Sequence, residues 1–215
     1  MKAFMRVNPI IDKLRREHAD MRRVIILIRL QLDLLERHAQ PDLVLLTNAL
    51  YYMRKFPSVV HHPKEELIFE KLLARGAPVQ KEVEQLHAQH QEIYALEDDL
   101  IELALALQKG DCKAEARLLE FGRHYLAIQS MHVETEERFL FPAALQNLRA
   151  YDWKDVRKKS VSIDDPLFGS NPPERYRYLY DYLLREAAES GVSLPAARQA
   201  PASSSNKTSS SRKSQ

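Results

Sequence analysis

Four stretches of this chain repeat apolar residues at alternating spacings of three and four, and each stretch carries one histidine in the same register. Such spacing forms an apolar stripe along one face of an α-helix, and that face must be buried against other helices. The histidines on the four stripes are His18, His61, His90 and His132. The sequence therefore predicts an all-α fold in which four long helices share a core.

The breaks between these stretches predict how the helices are connected. The chain turns near Gln40, Gly76 and Asp111, and each connection is short. Short connections place consecutive helices side by side in opposite directions. We therefore expect an up-down-up-down four-helix bundle over residues 1–150.

Spacing from the turns places the four histidines at one height. In the first helical hairpin, His18 and His61 lie 22 and 21 residues from Gln40. In the second hairpin, His90 and His132 each lie 21 residues from the turn at residue 111. Because every α-helix rises by about 1.5 Å per residue, the four histidines should meet in one layer.

Two of these histidines begin matching segments, called cassettes below. His61 is followed four residues later by Glu65, and His132 is followed at the same spacing by Glu136. Residues four apart lie on one helical face, so imidazole and carboxylate can reach one point. Unpaired carboxylates are costly to bury in an apolar layer, and a metal ion removes that cost. The predicted metal ligands are His18, His61, Glu65, His90, His132 and Glu136.

The ligand assignment has alternatives in two helices. His62 and Glu66 have the same spacing as the favoured pair, and we prefer the first register because the second cassette contains a single histidine. In the third helix, His87 competes with His90, which lies on the apolar stripe. His87 would then be a further ligand or a residue behind the ligands.

Prolines interrupt the second helix close to its cassette. Pro57 and Pro63 both lie within the helical pattern, where proline removes a backbone donor and disturbs the preceding turn. We therefore expect a kink or an irregular turn there. The fourth stripe is expected to continue through Phe139 and Ala143.

The donor set restricts the metal. No thiolate is present among the candidate ligands, which disfavours copper(I) and iron–sulfur clusters. Six donors exceed the four of a closed zinc site. Imidazole combined with carboxylate suits iron, with manganese or zinc as competitors. We predict two iron ions, because two carboxylates can bridge a pair of metals.

The chain after residue 150 has a different pattern. We expect a helical extension over residues 151–194, with a short helix from Tyr151 to Lys159 and a later helix that begins at Asn171 and Pro172. Residues 195–215 are rich in Ser, Ala, Lys and Arg, and we expect them to be disordered.

Charge and composition exclude several classes of protein. The net charge is only +2 and no basic stripe is present, so nucleic-acid binding is not expected. No apolar run has the length of a signal peptide or a membrane span. The single cysteine, Cys112, cannot form a disulfide framework, which favours a cytoplasmic protein.

The order His, His-x-x-x-Glu, His, His-x-x-x-Glu resembles hemerythrin-like (HHE cation-binding) domains. The resemblance covers about residues 8–148 and is most specific in HHPKEELIF and HVETEERFLFP. The segment Asp165–Gly169 is similar to the C-terminal extension of some bacterial members. The resemblance implies a non-haem di-iron centre, bridged by carboxylates and an oxo or hydroxo group. It implies that Glu65 and Glu136 are bridges and that the four histidines are terminal ligands.

The chain departs from the oxygen-carrying hemerythrins of invertebrates. Those proteins have an additional histidine and an aspartate five residues after the last-helix histidine, where this chain has Glu137. We therefore expect open iron positions that bind oxygen, nitric oxide or peroxide, in sensing or a stress response. The alternatives are an enzyme that processes peroxide or nitric oxide, and an iron donor in iron–sulfur cluster repair. The apolar residues expected around the site are Met21, Ile25, Met53, Ile68, Ile93, Ile128 and Phe139.

Overall fold

The computed structural model describes residues 8–169 and 173–189. Within those ranges all regular structure is helical, as predicted. Two short π-helical turns, Pro57–His61 and Glu136–Leu140, interrupt the α-helices. The α-helices are α1 (Pro9–Glu36), α2 (Leu43–Phe56), α3 (His62–Ala74), α4 (Gln80–Gln108), α5 (Ala114–Thr135), α6 (Phe141–Asn147), α7 (Ala150–Lys159) and α8 (Glu174–Glu189).

Local signals in the sequence set the helix ends. The side chain of Asn8 accepts a hydrogen bond from the backbone N–H of Ile10, and the carboxylate of Asp42 accepts one from Leu45, each at 2.9 Å. These caps satisfy donors that have no partner inside the helix. Gly76 follows α3 with a φ of 65°, a left-handed conformation that glycine adopts without strain.

Four long helical segments pack in a ring: α1, α2 continued by α3, α4, and α5 continued by α6. The first, α1, contacts α2 and α5, and α4 contacts the same two helices from the other side. The short α7 packs against α3, and α8 packs against α2. This arrangement encloses the space between the long helices, where the side chains of the predicted ligands lie.

The core consists of two apolar clusters separated by a polar layer. The first cluster lies at one end of the ring and includes Ile11, Leu14, Ile68, Phe69, Leu72, Val83, Leu86, Leu140, Phe141 and Ala144. The second includes Met21, Ile28, Leu46, Leu50, Met53, Ile93, Leu100, Leu118, Tyr125 and Ile128. On each long helical segment the histidine stands between the two clusters. The first cluster precedes it on α1 and α4 and follows it on the other two segments.

The π-helical turns correct one sequence prediction. Phe139 was expected to line the core, but its side chain is 49% exposed, while Leu140 and Phe141 are buried. The N–H of Phe141 bonds to the carbonyl of Glu136, five residues back. The wider turn adds one residue, which rotates the following stripe by about 100° relative to a regular helix.

The C-terminal extension packs onto the bundle through a loop and a helix. Asp165 accepts hydrogen bonds from the Tyr52 hydroxyl at 2.9 Å and from two backbone N–H groups of the loop, and Leu167 is buried beside it. The buried face of α8 includes Tyr176 and Leu179. The expected helix start at residues 171 and 172 and the tail at 195–215 lie outside the described residues.

None of the helices within residues 8–169 and 173–189 combines the length and the apolar character needed to cross a membrane.

Candidate metal centre

Seven side chains from all four long helical segments meet in the polar layer between the apolar clusters. Each is at most 3% exposed. The structure brings together the six ligands predicted from the sequence and adds His62. They are His18 from α1, His61 from the first π-helical turn, His62 and Glu65 from α3, His90 from α4, His132 from α5 and Glu136 from the second π-helical turn.

Imidazole nitrogens point at the two glutamates. The Nε2 atom of His61 lies 3.0 Å from Oε1 of Glu65, and Nε2 of His18 lies 3.5 Å from the same oxygen. Glu136 lies between two histidines, with oxygens 3.3 Å from Nε2 of His18 and 3.3 Å from Nε2 of His132. The donor atoms thus converge although their residues come from separate helices.

The first π-helical turn explains why consecutive histidines both face the centre. The N–H of His62 bonds to the carbonyl of Pro57, five residues back, and Pro63 has no N–H to continue the regular α-helical pattern. The rings of His61 and His62 lie 5.6 Å apart, and the ring of His62 stacks on His90 at 4.2 Å. Sequence spacing alone treated the two histidines as alternatives, whereas the structure places both at the centre.

Four of the five histidines have an outer hydrogen-bond partner at Nδ1. With Nδ1 as the donor, the Nε2 lone pair is left for a metal, a pattern typical of metal-binding histidines. The Nδ1 contacts are His18 to Glu137 at 3.0 Å, His61 to Glu17 at 2.9 Å, His62 to the Tyr94 hydroxyl at 2.8 Å, and His90 to Glu66 at 2.8 Å.

Two of the competing residues, Glu66 and His87, lie outside the cluster, in an outer shell that supports the histidines. Glu66 faces away from the centre and contacts both His90 and His87. The side chain of His87 is 47% exposed, so it lies behind His90 at the surface. Glu137, which directly follows Glu136, also lies outside and is bonded to His18.

A buried lysine supports one of the outer carboxylates. The Nζ atom of Lys64 lies 3.2 Å from both oxygens of Glu17, and both side chains are less than 10% exposed. Burial raises the pKa of the Glu17 carboxyl, but His61 and Lys64 outweigh it and lower the pKa below its usual value. Glu17 is therefore held as a carboxylate that accepts the Nδ1 proton of His61.

Unpaired polar atoms test whether the centre suits a metal. In the described part of the chain, eleven buried side-chain nitrogen and oxygen atoms have no hydrogen-bond partner, and nine of them belong to this cluster. They include both oxygens of Glu65 and of Glu136, whose close contacts with imidazole lack hydrogen-bond geometry. Such atoms are expensive to bury without compensation, and a cation compensates all of them together.

The pKa values of the clustered side chains are shifted because the groups are buried close to one another. Burial lowers the pKa of His132 to about 3 and lowers that of His62 well below its usual value. Burial and the neighbouring Glu65 raise the pKa of Glu136 to about 7. Burial also opposes a charge on His18, but the carboxylates around it raise its pKa well above the usual value. Proton binding thus sets the charge of these buried side chains, and a bound cation would replace those protons.

The donors divide into two groups that share one carboxylate. The first contains His18, His61, Glu65 and Glu136, and the second contains His62, Glu65, His90 and His132. Within each group, one atom from every residue lies within 4.8 Å of the others. Nitrogen and oxygen donors without thiolate suit iron, manganese or zinc.

Residues 9–144, more than half of the chain, match the hemerythrin HHE cation binding domain. The chain belongs to the hemerythrin HHE cation-binding family. Membership in the hemerythrin family implies metal binding, typically of iron, and the histidine–glutamate cluster in the bundle agrees with it. No curated protein matches the chain in sequence.

In this hemerythrin-like centre, helical spacing predicted His62 only as an alternative to His61, and it did not predict the contact of Glu17 with His61. The signal for His62 was Pro63, since a proline in that place predicts a distorted turn and hence a shifted register. Glu17 gave no comparable signal, because a glutamate beside a histidine on a helix surface is common and its partner His61 lies on another helix.

Proposed function

We propose that this protein is a non-haem di-iron protein that binds oxygen, nitric oxide or peroxide in sensing or a stress response. The observation that carries the proposal is the pair of four-donor groups that share Glu65. One ion would occupy each group. Glu65 would bridge the two ions, and the resemblance assigns a second bridge to Glu136.

The protein side chains have defined roles in this proposal. His18 and His61 would hold one ion and His90 and His132 the other, with His62 as an additional ligand. The outer carboxylates keep the Nδ1 protons in place, so that Nε2 stays available. Iron, when bound, supplies the capacity to bind and reduce small molecules.

Open coordination positions favour reactivity over a closed cluster. Each group offers four protein donors, fewer than the roughly six that octahedral metal sites take. The apolar clusters on both sides of the layer favour small uncharged ligands over charged substrates.

We also propose that the long helical segments form an up-down-up-down bundle. The two apolar clusters alternate in order along successive segments, which supports antiparallel neighbours. The exposed single cysteine, Cys112, suits a reducing cytoplasm, where we place the activity.

Metal analysis and rapid kinetics test the proposal. Aerobically purified protein should contain two iron ions per chain and absorb in the near-ultraviolet, whereas a zinc protein would be colourless. The anaerobic reduced protein should then change its spectrum when mixed with oxygen, nitric oxide or peroxide in a stopped-flow instrument. A single ion per chain would defeat the di-iron assignment. No spectral change with any of the three would defeat the ligand-binding function.

A further inference from the structure

In the described part of the chain, two cavities reach the histidine–glutamate cluster from different sides. The larger, about 610 Å³, lies between α1 and α5 and ends at His18 and Glu137. The smaller, about 370 Å³, lies between α3 and α4 and ends at His62 and His90. They differ in volume and in the side chains that line them, and these differences bear on which molecules each one admits.

The larger cavity has an apolar stretch of wall and a charged rim. Met21 and Leu126 are buried in this wall, and Ile25 lies partly buried beside them. The rim carries the exposed Arg22, Arg29 and Arg138, and Arg138 is paired with Glu134 at 3.1 Å. An uncharged molecule leaves water readily for such a wall, whereas an ion would lose hydration without compensation.

The smaller cavity is lined by polar groups that are already bonded. Glu66 contacts both His87 and His90, and the Tyr94 hydroxyl contacts His62. The larger cavity also ends at a bonded pair, but it adds aliphatic side chains that the smaller cavity lacks apart from Pro63. This side therefore suits the exchange of water and protons rather than the entry of an apolar gas.

One polar side chain lies deep in the wall of the larger cavity. Gln129 is 4% exposed and stands on α5 one turn before His132. Its Nε2 donates to the Tyr125 hydroxyl at 3.1 Å, and that hydroxyl donates to buried Glu97 at 2.9 Å. This chain of hydrogen bonds fixes the orientation of the Gln129 amide at the cavity.

We infer that the cavity between α1 and α5 is the entry route and docking site for the small uncharged ligand, with Gln129 as its polar contact. The inference rests on the proposed function, because it names the route to the same centre. The occupant is uncharged because Met21, Ile25 and Leu126 form an apolar stretch of the wall. Glu137, the charged side chain at the inner end, is already paired with His18.

Blocking variants of the iron-loaded protein test the route. Ile25→Trp and Ser130→Trp narrow the cavity from α1 and from α5, and Ser130 is exposed, so that substitution spares the core. Each should slow the bimolecular reaction of the reduced protein with nitric oxide about tenfold, a barrier increase of about 1.4 kcal/mol. The matched control is Gln91→Trp, which narrows the smaller cavity and should leave the rate within twofold.

Xenon gives a readout independent of reactivity. Crystals of the iron-loaded protein under xenon pressure should show a xenon atom against Met21, Ile25 and Leu126, and Ile25→Trp should abolish it. Xenon bound only elsewhere, or unchanged rates in both blocking variants, would overturn the route. If the wild-type protein reacts with no ligand, the proposed function fails, while xenon occupancy still decides whether the cavity admits uncharged molecules.

Gln129→Met tests the polar contact, since methionine has a similar size but no amide. Peroxide both donates and accepts hydrogen bonds, so its reaction should slow about tenfold, a change typical of one lost hydrogen bond. The reaction with nitric oxide should stay within twofold. Equal effects on the two ligands would show that Gln129 is not the polar contact, and only the entry route would remain.

Discussion

Oε2 of Glu17 lies 2.9 Å from Nδ1 of His61, although the two residues are 44 positions apart in the sequence. Glu17 precedes His18, which faces the same cluster from α1. One turn of α1 therefore supplies one donor and orients another on the neighbouring helix. Buried Lys64 pairs with the Glu17 carboxylate, so the negative charge at this contact between two helices is compensated.

Removing this carboxylate should weaken metal binding. Glu17→Ala leaves the His61 ring free to rotate and should lower metal affinity about 10–100-fold. Glu17→Gln should recover part of the loss, since its amide oxygen still accepts the Nδ1 proton. Competition with a chelator measures the affinity. Glu134→Ala, at an exposed position on α5, is the control. If Glu17→Ala binds the metal as tightly as the wild-type protein, Glu17 does not orient His61.

His62→Ala should reduce the metal content from two ions to about one per chain. It removes one of four donors from the group that includes His90 and His132, and it leaves the other group intact. Metal analysis after gel filtration gives the ratio. His87→Ala, which alters the outer shell only, should keep two ions. Two tightly bound ions in both variants would show that His62 faces the centre without binding.

The stability of the protein should depend on the protonation of Glu97. Burial raises the pKa of its carboxyl from 4.5 to about 8, and the hydrogen bond from Tyr125 only partly opposes the shift. The folded state therefore keeps a proton that the unfolded state loses between these values. Stability should fall as the pH rises through this window, by at most about 1.4 kcal/mol per pH unit.

Glu97→Gln removes this titration and keeps an oxygen for the Tyr125 hydroxyl. Relative to wild type, the variant should become progressively more stable between pH 5 and pH 8. Urea unfolding at several pH values measures the free energy of unfolding of both proteins. Parallel pH profiles would show that Glu97 titrates normally in the folded protein.

Gly169→Ala should loosen the C-terminal extension. A Cβ atom at this position would clash with the backbone carbonyl oxygen of Asp165, so the loop must shift. The shift would disturb the hydrogen bond between Asp165 and the buried Tyr52. We expect a loss of about 1–3 kcal/mol in the free energy of unfolding, as for an overpacked core position. Val161→Ala, at an exposed site in the same segment, should change it little, and equal effects would contradict the clash.

The helices and the layer in which the donor atoms meet could be predicted from the sequence. Apolar spacing marks a helical face wherever it occurs, and the constant helical rise converts equal distances from a turn into equal heights. His18, His61, His90 and His132 could therefore be placed together before any contact was known. The two glutamates followed from their spacing of four residues behind a histidine.

Which neighbours of these residues face the centre follows from the folded structure and not from regular helical spacing. The π-helical turns shift the register after Pro57 and after Glu136, which brings His62 inward and turns Phe139 outward. The outer contact from Glu17 to His61 joins separate helices, and no periodicity along one helix encodes it. Spacing rules describe a regular helix, so they fail where the helix widens and where two helices meet.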